Sequence, residues 1–142
     1  MTRVDFYVIG QAARGDADSV ACRLAAKAFE QGRRVYVFAA DEGAADRLDT
    51  LMWTFRDISF VPHKRTGDDR LPDTPVLIGT GDPPDGHADV MVNLSHPVPP
   101  AFSRFDRVIE IVPSAGEGRD RARERYRFYQ DRGYALTTHE LD

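Results

Sequence analysis

Residues 117 to 132 carry six arginines against four carboxylates, a local charge of +2 in a chain of net charge −4, which leaves −6 elsewhere. Arg119, Arg123 and Arg127 recur at i, i+4 and i+8, which predicts one stripe along a helix. Tyr126 falls beside that stripe. Each guanidinium is a planar fork that matches a carboxylate or a phosphate. The stripe therefore suits capture of an anion or an acidic peptide. Asp120 and Glu124 alternate with the arginines, so a solvated face laced with i,i+4 pairs fits the same letters. Gly133 ends the predicted helix and Tyr134 begins the return.

Other chemistry is hard to find. His63, His87, His96 and His139 have neither one another nor Cys22 at a metal-ligand spacing, so no metal is expected. His87 is flanked by Asp82, Asp85 and Asp89, but an Asp-rich Pro/Gly segment is first of all a turn. GxSxG, HExxH and CxxC are absent. Gly10 and Gly15 have the spacing of a phosphate loop, yet Asp16-Ala17 stands where Lys-Ser/Thr is required, and an acid repels phosphate. Asp41-Glu42 follows the second predicted strand, where a ribose-binding acid could sit; acids are equally at home in a first helical turn. A small nucleotide-binding α/β enzyme is the rival reading, and it predicts a ligand at the turn from Gly10 to Asp16. The favoured reading has no cofactor.

Composition sets outer bounds. The 142 residues predict one domain, 1–142, with a real core. No apolar run reaches membrane-spanning length, and Met1 to Asp5 leads straight into a strand pattern, so neither a membrane segment nor a signal peptide is expected. A lone cysteine on a predicted helix fits a buried small hydrophobe in a reducing cytoplasm. The acidic balance argues against direct DNA binding.

The elements that must position the arginine stripe follow from periodicity. Val4–Ile9, Arg34–Ala39, Pro75–Gly79, Asp89–Leu94 and Arg107–Val112 read as strands. Val20–Gln31 and Asp41–Phe55 read as helices, the first with Asp18-Ser19 as its N-cap. Strand, helix, strand at the start is a βαβ unit and predicts a parallel sheet. Lys64–Asp73 reads as a surface loop, Ala101–Phe105 as a single turn, and Tyr134–Thr137 as a last edge strand. Trp53 falls off the apolar stripe of the second helix, and Phe60 precedes Pro62 in a loop. Two large aromatics placed so suit either a protein-protein patch or local closure of the core.

Two segments together resemble the chi subunit family of bacterial DNA polymerase III holoenzyme. The first is Leu48-Asp49-Thr50-Leu51-Met52-Trp53 with Ser59-Phe60-Val61-Pro62-His63. The second is Ile111-Val112-Pro113, then Ala122-Arg123-Glu124-Arg125-Tyr126-Arg127-Phe128-Tyr129 and Gly133-Tyr134-Ala135-Leu136. The opening strand with Phe6-Tyr7 also fits. The resemblance implies a single-domain three-layer α/β sandwich: a mostly parallel sheet, helices on both faces, and nucleotide-binding-like topology without a phosphate loop. It implies a non-catalytic replisome adapter, with no active site of its own. Such an adapter binds the acidic C-terminal tail of single-stranded-DNA-binding protein and links it to the clamp loader. By resemblance the tail site maps onto Val112, Arg119, Arg123, Tyr126, Arg127, Gly133 and Tyr134. A second surface, at Trp53, Phe60, Pro62 and His63, would hold the small psi subunit or a helicase. Arg119 and Arg127 stand where the family usually has Lys, and Tyr134 where it has Phe.

Overall fold

The computed structural model describes residues 1–10, 16–55, 60–68 and 73–141. Gly15, Ile58, Ser59 and residues 69–72 of the expected surface loop lie outside the described residues. Among the described residues seven strands form one sheet: β1 (Arg3–Ile9), β2 (Val35–Phe38), β3 (His63–Arg65), β4 (Val76–Gly79), β5 (Val90–Asn93), β6 (Arg107–Val112) and β7 (Ala135–Leu141). Their order is β3-β4-β2-β5-β6-β1-β7, and every pairing is parallel. β1 and β2 share the sheet as the βαβ pattern predicts, although β5 and β6 lie between them. Among the described residues three helices complete the fold: α1 (Ala17–Glu30), α2 (Glu42–Thr54) and α3 (Glu117–Asp131), with a 3-10 turn at Pro100–Arg104.

Period-two alternation sorts the strand residues onto two faces. Ile9, Val35, Val37, Val76, Ile78, Val90, Val92, Ile109 and Ile111 pack with Cys22 and Ala25 of α1 and Leu48 and Met52 of α2. Val4, Phe6, Tyr36, Leu77, Met91, Val108 and Val112 pack with Ala122 and Tyr129 of α3 and with Phe102 and Phe105. The central strands are buried on both faces, as parallel sheets require. The fold is therefore a three-layer α/β sandwich with helices on both faces.

Three local readings need correction. α1 begins at Ala17, earlier than the apolar spacing indicated, because Asp16 is its cap: Ser19 N donates to Asp16 Oδ1 at 2.9 Å. His63–Arg65 is an edge strand against β4, although its letters are polar. The last strand runs to Leu141, four residues past Thr137, because pairing with β1 continues to its end. Cys22 is fully buried, and burial with the nearby Asp18 and Asp16 charges pushes its thiol up to about 12. That leaves it protonated and inert. Among the described residues no helix is long and apolar enough to cross a membrane.

Candidate functional site: a cationic groove beside the last helix

Three strands and one helix build a groove of about 160 Å³, lined by Phe6, Val8, Val112, Arg119, Ala122, Arg123, Tyr126 and Thr138. Phe6, Val8 and Val112 project from β1 and β6 on the face that α3 covers. Ala122, the smallest side chain on the buried side of α3, leaves the gap open. Gly118 lets the helix start close to the strand end, since a Cβ there would stand 3.0 Å from Pro113 Cγ. Tyr126 packs edge-on against Phe6, with centroids 5.1 Å apart. Apolar floor, aromatic wall and two guanidinium groups at the rim can hold one apolar side chain beside an anion.

The fate of each arginine decides between an ion-paired face and an open site. Arg121 makes an i,i+4 pair with Glu117 at 2.6 Å. Arg125 is buried and donates to Glu110 at 2.9 Å. Arg132 lies 3.6 Å over the Phe128 ring. Arg119 donates to the Pro113 carbonyl at 3.4 Å, a long bond that leaves most of its fork unused. Arg123 and Arg127 have no hydrogen-bond or ion-pair partner among the described residues. The stripe is thus largely uncommitted, and Arg123 is its free member at the groove.

The sequence-derived residues are not all brought together. Val112, Arg119, Arg123 and Tyr126 meet in the groove. Arg127 is exposed one turn beyond Arg123, roughly 6 Å along the axis, and does not line it. Gly133 and Tyr134 lie past the other end of α3, roughly 15 Å from Arg123 by helical rise. Tyr134 packs edge-on to Phe102 and Tyr129 at 5.1 and 6.4 Å, so its ring closes the core there. Gly133 does not bound the groove either: a Cβ would meet nothing within 4 Å, and its φ of +77° is what requires glycine. Phe6, Val8, Ala122 and Thr138 were missed as groove residues. Alternation along β1 and the i−4 position from Tyr126 could have found the first three.

A buried polar network fixes the helix that carries the rim. Glu110 is 0% exposed and accepts from Arg125 Nε at 2.9 Å, Tyr129 Oη at 2.7 Å and Asn93 Nδ2 at 2.9 Å. Two of these donors come from α3, one turn apart on its buried face. Burial raises the Glu110 carboxyl above the usual range, against the pull of Arg125, Asn93 and Tyr129. Arg125 Nη1 also donates to His96 Nδ1 at 3.1 Å. An arginine can only donate, so His96 carries its proton on Nε2, which faces Glu124 at 3.1 Å.

On the opposite face of the sheet, at its other edge, Trp53 and Phe60 are 55% and 61% exposed and stack with centroids 5.1 Å apart. An exposed aromatic pair of this size is unusual for a surface with no partner. His63 is only 3% exposed: its Nδ1 donates to the Val61 carbonyl at 2.7 Å, and its ring supports Trp53 from 4.6 Å. Pro62 is half-buried. The accessible part of this patch is Trp53 and Phe60. Among the described residues no group of three His, Cys, Asp or Glu side chains is placed to hold a metal ion.

Comparison with known proteins covers both surfaces. The family profile described as "DNA polymerase III chi subunit, HolC" matches residues 1–137. The chain is 43% identical over 141 residues to DNA polymerase III subunit chi of Pseudomonas aeruginosa, covering 99% of this chain and 98% of that one. It is 29% identical over 143 residues to the Escherichia coli subunit, covering 97% of each chain. To that of Haemophilus influenzae it is 28% identical over 137 residues, covering 96% and 95%. A match that runs from β1 through the Trp53–Phe60 patch and α3 into β7 places the chain in the DNA polymerase III chi subunit family, an accessory subunit in DNA replication.

Proposed function

We propose that the chain is a non-catalytic adapter whose groove binds the acidic C-terminal tail of single-stranded-DNA-binding protein. The observation that carries this is the free Arg123 guanidinium at the rim of an apolar groove. The terminal aromatic side chain of the tail enters between Phe6, Val112, Ala122 and Tyr126. Its carboxylate pairs with Arg123 in a charge-assisted hydrogen bond. Arg119 and Arg127 attract the acids upstream, and Gly133 and Tyr134 act only by ending α3 and closing the core behind it. Rim charges are weak and screened by salt, so the contact is modest in strength and quickly released, which suits a replisome in motion.

The exposed Trp53–Phe60 pair is the second jaw of the adapter. It docks the psi subunit of the clamp loader, or a helicase, with Pro62 and His63 holding the pair in place from below. Two surfaces on opposite faces of one sheet let both partners bind together. The test is a pull-down with single-stranded-DNA-binding protein, intact and lacking its last few residues. Capture of the intact protein alone supports the adapter; equal capture of both forms refutes the tail site.

A further inference from the structure

The two edges of the sheet are built differently. β3 is three residues long and carries Lys64 and Arg65, the short charged form that resists pairing. β7 runs seven residues, Ala-Leu-Thr-Thr-His-Glu-Leu, with no proline, lysine or arginine and with two β-favouring threonines. It pairs with β1 along its whole length, and among the described residues no strand pairs with its other side. A long unprotected edge is a template for another strand.

The register says which groups are on offer. Gly10 N donates to the Leu141 carbonyl at 2.7 Å, so the main chain of Leu141 faces β1. In a parallel pair this orientation alternates, so the N–H and C=O of Leu136, Thr138 and Glu140 face outward. Thr138 is therefore shared: its side chain lines the groove while its main chain lies on the open edge. α3 descends from the end of β6 to the start of β7, so Arg127, one turn below Arg123, lies toward Leu136. A groove of about 160 Å³ holds one side chain and leaves the rest of a bound peptide to run elsewhere.

Resting on the tail-binding reading, we infer that the tail segment upstream of the groove adds to β7 as a parallel eighth strand, centred on Leu136 and Thr138. With its last residue in the groove, the peptide then runs from the Arg127 level upward, which sets it parallel to β7. Its main-chain bonds supply affinity that the screened rim charges do not. Its acids lie beside Arg127, away from Glu140 at the far end of the strand.

The test uses the full chain and a short synthetic acidic peptide ending in Phe with a free carboxylate. Amide hydrogen exchange is read residue by residue with and without peptide. Leu136 and Thr138 should gain protection on binding, whereas Thr137 and His139, already bonded to β1, should not. N-methylation of the peptide at one alternating set of upstream amides should weaken binding about tenfold, and at the other set should leave it unchanged. If both methylated sets bind like the unmodified peptide and Arg123→Ala still weakens binding at least tenfold, the tail occupies the groove alone and the strand addition is wrong. Protection of Leu136 and Thr138 without peptide, rising with protein concentration, would identify a second copy as the occupant and also overturn it. No binding of the unmodified peptide removes the tail reading itself.

Discussion

Arg123→Ala isolates the contact on which tail binding rests. Its magnitude follows from the neighbours. Arg119 is partly engaged by the Pro113 carbonyl and Arg127 does not line the groove, so neither replaces a lost Arg123. A fully solvated ion pair is worth about 0.2–1 kcal/mol. A carboxylate held here is shielded on one side by Phe6, Val112 and Ala122, which moves the bond toward the charged-group range of about 1.5–3 kcal/mol. That range corresponds to a weakening of roughly ten- to 150-fold. Calorimetric titration of the tail peptide measures it, with a second peptide whose terminal carboxylate is amidated. The two changes form a cycle. If Arg123 holds the carboxylate, amidation weakens binding to the wild-type chain and does little further harm to Arg123→Ala. Losses that simply add would show that the carboxylate sits elsewhere. Arg123→Lys keeps the charge without the fork and should fall between the two. Raising salt should compress the difference, because the Debye length shortens from about 8 Å at physiological ionic strength.

Glu110→Ala strands three buried donors and should destabilise the fold by about 3–5 kcal/mol in urea melts, whereas replacing Glu110 and Arg125 together by apolar residues of similar size should cost far less. Gly133→Ala forces a left-handed backbone on alanine and should lower stability by about 1 kcal/mol while tail affinity stays unchanged; a loss of affinity in the folded variant would return Gly133 to the site. Trp53→Ala or Phe60→Ala should weaken capture of psi or helicase and leave the tail peptide's titration as it was. Burial alone would raise the Asp5 carboxyl, but hydrogen bonds from Arg107 and His139 and the charges of Arg107 and Arg3 hold it below its usual value. Its contribution is therefore complete above the unfolded value of about 3.9 and is lost as pH falls toward the lower folded one. Acid melts of Asp5→Asn should show a shallower loss of stability below about pH 4 than the wild-type chain.

Much of the site was legible in the letters because it lies on one helix. A 3.6-residue period places Arg119, Arg123 and Tyr126 on neighbouring turns whatever surrounds them, whereas Val112 entered the site only by family likeness. For Trp53 the sequence left two outcomes, a protein-protein patch or local closure of the core, and only the structure shows it exposed. Arg125 was not legible: it reads as one more surface charge, and its burial depends on Glu110, fifteen residues away, meeting it beneath α3. Gly133 and Tyr134 were drawn into the site by family likeness, and only the rise along α3 separates them from it.

By itself the sequence determined the helices, the cationic face and all the strands except the polar β3 and the far end of β7, because these rest on local periodicity and charge. The tertiary structure decided which of six arginines stay free, what forms the groove floor, and that β7 lies at an open edge. Those facts rest on contacts between β1, β6, α3 and β7, over a hundred positions apart at the extremes of the chain, which no local pattern encodes.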